Sequence, residues 1–177
     1  MKNRRTYYNI NKNVSVSQTE IENTIKTVTE LVPDAFNMKS ARVIVAFGDK
    51  HDLLWDEVYN AFGGKVPREK IDSFKVGAGT VLFFYDENTV KAMQEKFATY
   101  ASNFPVWANQ ANGMLQISIW SALRELGIGA SLLHYNPVID KKMHELFRIS
   151  DDHVLLAQMP FGGIGSEPGQ KEKEDYR

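Results

Sequence analysis

The chain contains no cysteine. Disulfides, thiolate nucleophiles and cysteine-ligated metals are therefore excluded together. It has no excess of one charge: 21 basic against 22 acidic residues leave a formal net charge of -1. No broad basic field advertises a nucleic-acid partner, and there is no acidic tail. Long uncharged apolar runs are missing too, because the most apolar helical stretch ends on Arg124 and Glu125, so no segment reads as a membrane span. The N-terminus, MKNRRTYYNINKN, is basic but lacks the apolar core of a signal peptide. The expected setting is the cytoplasm. His51, His134, His144 and His153 show no metal-ligand spacing. There is no P-loop and no Gly-x-Ser-x-Gly nucleophile elbow. Gly127-Ile128-Gly129 lacks the third glycine of a dinucleotide fingerprint and precedes a strand instead of a helix. No repeat or linker divides the chain, and 177 residues are expected to form one domain, 1–177.

What is present centres on Trp107 to Tyr135, WANQANGMLQISIWSALRELGIGASLLHY. Ala111, Leu115, Ile119, Ala122 and Leu126 recur at helical spacing, and Met114, Ile117, Trp120 and Leu123 widen the apolar face. A helix apolar nearly all round is expected to be buried on several sides. Gly127 and Gly129 end it, Ala130 to Tyr135 reads as a short strand, and Asn136-Pro137 breaks that strand.

The rest of the chain alternates helical and extended patterns. Ser17 to Glu20 is a capping box opening a helix that Pro33 closes. Arg42 to Phe47 is rich in β-branched residues and reads as a strand. Helices are expected over Asp49–Phe62, Pro67–Phe74, Asn88–Ala101 and Pro137–Phe147, with Pro137 at a tolerated first position. Gly79–Tyr85 is a continuous apolar run suited to an interior strand, and Val154–Met159 is the last strand. Strands separated by helices argue for a sheet covered by helices.

Five stretches have residue types suited to ligand chemistry. Arg4-Arg5-Thr6 offers two guanidinium groups and a hydroxyl, which suit a phosphate dianion; a solvated basic terminus has the same composition. Pro33 to Ser40 (PDAFNMKS) is a loop containing Asn37, Lys39 and Ser40, and an ordinary turn fits it as well. Leu132 to Pro137 follows the central strand, where fixed backbone donors are available around Leu133 and His134. Lys171 and Lys173 stand in a charged tail. Phe104 and Trp107 flank the start of the central helix, where aromatic rings stack flat molecules or simply fill a core.

The run LRELGIGASLLHYNP resembles the central helix-to-strand passage of the nitroreductase-like flavoproteins, and within them the fatty-acid-repression-mutant subgroup. The Arg-Arg-Thr run is similar to their phosphate signature, with Tyr8 where a further basic residue usually stands. PDAFNMKS resembles their Pro-Ser-x-x-Asn-Ser-Gln stretch, keeping Asn37 and Ser40 but placing Met38 and Lys39 where Ser-Gln is usual. The resemblance implies an α+β fold with a mostly antiparallel sheet flanked by helices and a long buried central helix. It implies FMN as cofactor, with Arg4, Arg5 and Thr6 at the phosphate, joined by Lys171 or Lys173. Asn37, Lys39, Ser40 and the Leu133-His134 backbone are then expected at the ring, and Phe104 and Trp107 over the substrate face. It further implies a homodimer with two interfacial sites. The implied activity is transfer of hydride or electrons from NADH or NADPH to a nitroaromatic, quinone or similar flat acceptor, by a ping-pong scheme with no obligatory acid or base side chain. A flavin-binding regulator of lipid or oxidative-stress responses is the alternative.

Overall fold

The computed structural model describes residues 3–171. Eleven elements follow in order: β1 (Ile10–Asn11), α1 (Gln18–Leu31), β2 (Ala41–Phe47), α2 (Gly48–Ala61), α3 (Arg68–Lys75), β3 (Gly79–Asp86), α4 (Glu87–Lys96), α5 (Phe104–Glu125), β4 (Ile128–Ala130), α6 (Asp140–Phe147) and β5 (His153–Ile164). The strands form one sheet in the order β1-β5-β3-β2, with β4 also on β5, and every strand pairing is antiparallel. This is the expected α+β arrangement.

β3 is the interior strand its composition requires. Val81, Leu82, Phe83 and Phe84 are all but fully enclosed, and their side chains alternate between two cores. On one face α1 and α5 cover Val81, Phe83, Ala157 and Met159, with Ile21, Ile25, Leu115 and Ile119. On the other, α2, α3 and α6 cover Leu82, Phe84 and Leu155, with Trp55, Phe74 and Met143. Between Phe83 and Phe84 the register with β5 slips. There the Asn112 amide of α5 donates to the Phe84 carbonyl at 2.9 Å, so the irregularity is satisfied from the helix.

Several boundaries depart from expectation. α5 buries Ala108, Ala111, Asn112, Leu115, Ile119 and Leu123 along one face, but Met114 is 44% exposed and Ile117 and Trp120 are half-buried. On this second apolar face Arg4 lies over Trp120, while Met114 is left open among the described residues. α4 stops at Lys96, where Phe97 leaves helical geometry, and a 3-10 segment (Ala98–Asn103) completes the span expected as one helix. α6 begins at Asp140, not Pro137, because residues 136–139 form a turn. Of the strand expected over 130–135, only Ala130 and a single bridge from Leu133 to Gln158 are extended pairings. β5 runs to Ile164, past the expected Met159. Its glycines are what allow this. A Cβ at Gly162 would strike the Asn11 carbonyl, and one at Gly163 the Asn13 carbonyl, so the N-terminal segment lies directly on bare backbone.

Candidate functional site

The N-terminal segment and the tail meet over the end of the sheet. Thr6 bridges Ala130 in parallel, and the Tyr7 N–H donates to the Ala130 carbonyl at 3.0 Å. Tyr7 is buried against Gly129, a position where any Cβ would crowd its ring. Beyond β5 the chain returns. Gly165 N–H donates to the Asn9 carbonyl at 2.9 Å, Asn9 Nδ2 to Ser166 Oγ at 3.1 Å, and Arg5 Nη2 to the Gly169 carbonyl at 2.8 Å. The cleft so formed has a volume of about 520 Å³ and is lined by Arg4, Arg5, Thr6, Glu167 and Lys171 among others.

This cleft is cationic, with Arg4, Arg5 and Lys171 against Glu167. Among the described residues no ion pair engages either arginine. Arg4 instead lies over the Trp120 ring, 4.3 Å from its centroid. The Tyr7 hydroxyl donates to Glu167 Oε2 at 3.1 Å and accepts from Arg124 Nε at 3.2 Å, which fixes the floor to α5. A cleft of this size carrying three cations and a hydroxyl has the donor set a phosphate monoester requires. Lys173 lies outside the described residues.

The loop before β2 is a second cluster. Phe36, Asn37 and Lys39 all have positive φ, at 57, 51 and 59°. Such values are uncommon outside glycine and are over-determined by contacts here. Asp34 Oδ2 accepts the Lys39 N–H at 2.7 Å. Phe36 packs against four rings: Phe97, Phe104, Tyr100 and Trp107, the last nearly parallel at 19° with centroids 5.6 Å apart. Asn37 and Lys39 are exposed, and Lys39 borders a cavity of about 240 Å³ with Asp34, Arg42, Ala111 and Leu115. Asp34 Oδ1 is enclosed without a hydrogen-bond partner among the described residues. Two of the expected site residues are enclosed within the chain. Ser40 is enclosed, its carbonyl accepting the Asp86 N–H at 2.8 Å, and Phe104 is fully buried beneath Phe36 and Trp107.

Arg42 joins this cluster to α4. It pairs with Asp86 at 2.8 Å, while Asp86 Oδ1 caps α4 by accepting from Asn88 and Thr89 N–H. Burial alone would raise the Asp86 pKa, but the Thr89 hydroxyl and amide, Arg42 and the Asn88 amide outweigh it and hold the carboxyl below its ordinary value.

The 131–136 loop is the third cluster, and buried Gln158 organises it. Leu133 N–H donates to the Gln158 carbonyl at 2.8 Å and Gln158 N–H to the Leu133 carbonyl at 2.9 Å. The Gln158 side-chain oxygen accepts the Tyr135 N–H at 2.7 Å. Both backbone groups of Leu133 are thus bonded to β5. His134 is exposed.

The expected residues thus form separate groups. Arg4, Arg5, Thr6 and Lys171 share one cleft; Asn37 and Lys39 belong to the loop whose Phe36 stacks on Trp107; and His134 stands in a third place. Sequence reasoning missed Phe36, Trp120 and Gln158. Gln158 left a signal, a lone amide inside the apolar run VLLAQMPF; Phe36 and Trp120 left none that distinguishes them from core. Among the described residues no cluster of His, Asp and Glu has the makings of a metal site, and no helix is long and apolar enough to cross a membrane.

Comparison with known proteins places this geometry. The profile of the nitroreductase family matches residues 1–163. The nitroreductase FRM2 of Saccharomyces cerevisiae is 31% identical over 172 residues, covering 96% of this chain and 88% of its own. Nitroreductase CinD from Lactococcus lactis, solved in complex with chloramphenicol, superposes with a TM-score of 0.94 at 40% identity, covering 98% of this chain and 92% of its own. Its complex with 4-nitrophenol gives a TM-score of 0.90 at the same identity and coverage.

Proposed function

The chain belongs to the nitroreductase family, and from that premise we propose that it is an FMN-dependent oxidoreductase passing electrons from NADH or NADPH to flat acceptors such as nitroaromatics or quinones. The observation that carries the reading is the cleft of Arg4, Arg5, Thr6 and Lys171, a cationic pocket whose arginines have no internal counter-ion among the described residues. Bound there, the flavin would supply two-electron hydride chemistry, and no side chain need act as an obligatory acid or base.

The protein's part is to bind and orient. Arg4 and Arg5 present bidentate donors to the phosphate, with Thr6 and Lys171 completing its shell. Ser131, Leu133 and Tyr135 direct their N–H groups to β5, so in an extended chain the intervening N–H groups of Leu132 and His134 point the other way, toward a ring. Asn37 and Lys39 are assigned to the ring, Lys39 placing a cation near it. Phe36 and Trp107 give the acceptor a flat aromatic face, with Phe104 as its support.

These groups lie apart within one chain, and the apolar face of α5 left open at Met114 calls for a partner surface. We assign both to a homodimer in which two copies complete each site. The test is the double change Arg4→Ala, Arg5→Ala. It is expected to abolish retention of FMN while riboflavin, which lacks the phosphate, binds as before; unchanged FMN occupancy overturns the assignment.

A second reading follows from the resemblance of LRELGIGASLLHYNP to the fatty-acid-repression-mutant subgroup: a flavin-binding regulator with little turnover. Steady-state oxidation of reduced nicotinamide with 4-nitrophenol or a quinone separates the two. Saturable turnover supports the enzyme, and a flavin that is reduced but not reoxidised by any acceptor supports the regulator.

A further inference from the structure

Resting on the phosphate assignment above, we propose that Trp120 is a positioning residue for cofactor binding: its indole holds Arg4 by the face of the guanidinium and leaves the edge free for the anion. The five N–H donors of a guanidinium all lie in its plane. A side chain that stacks on the plane fixes the group without consuming a donor, whereas a hydrogen-bonding partner uses one. Arg4 sits 4.3 Å from the Trp120 centroid, while Arg5 gives an Nη2 donor to the Gly169 carbonyl.

The position of Trp120 supports the assignment. It lies one helical turn before Arg124 on α5, and Arg124 Nε donates to the Tyr7 hydroxyl. The N-terminal segment is thus held to one helix face at two points, Tyr7 by Arg124 and Arg4 by Trp120, with Thr6 fixed on Ala130 between them. Packing alone does not call for an indole. Trp120 Nε1 is enclosed without an acceptor among the described residues, and an unpaired buried donor is unfavourable. What tryptophan adds over leucine or phenylalanine is the strongest π-face for a cation. Holding a long, flexible side chain in its bound arrangement removes an ordering penalty that binding would otherwise meet.

The experiment titrates FMN and riboflavin separately into flavin-free protein carrying Trp120→Leu, Trp120→Phe or Arg4→Ala, with thermal melts to confirm folding. Trp120→Leu is expected to weaken FMN about tenfold and leave riboflavin unchanged, the size of a well-desolvated cation–π contact. Trp120→Phe is expected to lose roughly threefold for FMN alone, and it decides the matter if the leucine variant does not fold. In the Arg4→Ala background, Trp120→Leu is expected to have no further effect on FMN. Parallel weakening of FMN and riboflavin, or no weakening of either, overturns the proposal. If Arg4→Ala itself leaves the FMN-to-riboflavin ratio unchanged, or neither flavin binds the unaltered protein, the phosphate assignment falls and this inference with it. If Arg4→Ala lowers the ratio and the Trp120 variants do not, only the role of Trp120 falls.

Discussion

The side-chain oxygen of Gln158 accepts the Tyr135 N–H at 2.7 Å, while its main chain is bonded in both directions to Leu133. One buried residue therefore sets the path of the loop assigned to the flavin ring. Gln158→Leu keeps the volume but removes the acceptor of the half-buried Tyr135 N–H. It is expected to lower unfolding free energy by about 1–3 kcal/mol. It should also weaken FMN and riboflavin alike, unlike changes at Arg4. Urea denaturation and the two flavin titrations check both halves.

His51 gives the fold a defined pH dependence. Its Nε2 faces the Lys75 carbonyl at 3.1 Å and must donate, so Nδ1 accepts the Thr80 hydroxyl at 2.9 Å, and Thr80 Oγ accepts Trp55 Nε1 at 3.0 Å. That arrangement needs a neutral ring. Burial is the largest influence and lowers the His51 pKa from 6.5, with Lys12 and Lys75 acting the same way against the Lys75 carbonyl and Asp52. The unfolded chain then binds the proton more readily than the folded one. The contribution of His51 is complete above 6.5 and is lost as pH falls from there through the folded pKa. His51→Gln is expected to be less stable near neutrality and to lose less on acidification than the unaltered protein, as thermal melts between about pH 7 and pH 5 will show.

Asp86 behaves with the corresponding sign for a carboxylate. Its pKa is depressed, so its stabilisation is present above the ordinary value of 3.8 and disappears as pH falls through the folded pKa. Asp86→Asn retains an N-cap oxygen but loses the charge facing Arg42. A loss of about 0.5–2 kcal/mol is expected at neutral pH. Urea midpoints of the two proteins should converge below the ordinary carboxylate range; a gap that persists there would point to packing instead.

Phe36 is expected to govern acceptor choice. Phe36→Leu removes the ring that stacks on Trp107 and leaves the phosphate cleft untouched. The KM for 4-nitrophenol should rise about threefold to tenfold, the range of one aromatic contact, with flavin content unchanged. An acceptor without a ring, such as ferricyanide, should show no change. Equal effects on both acceptors would remove Phe36 from the substrate surface.

The elements were legible wherever local chemistry determined them. The Ser17 cap, the apolar run of β3 and the Gly127 stop, at φ 79°, all stand where periodicity put them. What escaped was set by distant partners. β5 extends to Ile164 because Asn11 and Asn13 lie on Gly162 and Gly163, and no local pattern announces a neighbour some 150 residues away. α5 looked buried all round because composition does not distinguish an enclosed apolar side chain from one left open, such as Met114. At the site, Arg4, Arg5 and Lys171 were visible as charges, but the stacking of Arg4 on Trp120 and the clamp by Gln158 exist only after folding.

The bond from Arg5 to Gly169 spans 164 positions of the chain. A contact of that separation cannot form by local folding, so the wall beside Arg5 closes only once the sheet has brought the two segments together. The charges of the cleft belong to the sequence, but their enclosure belongs to the tertiary structure, and any change that loosens β1 from β5 opens the cleft without touching a residue that lines it.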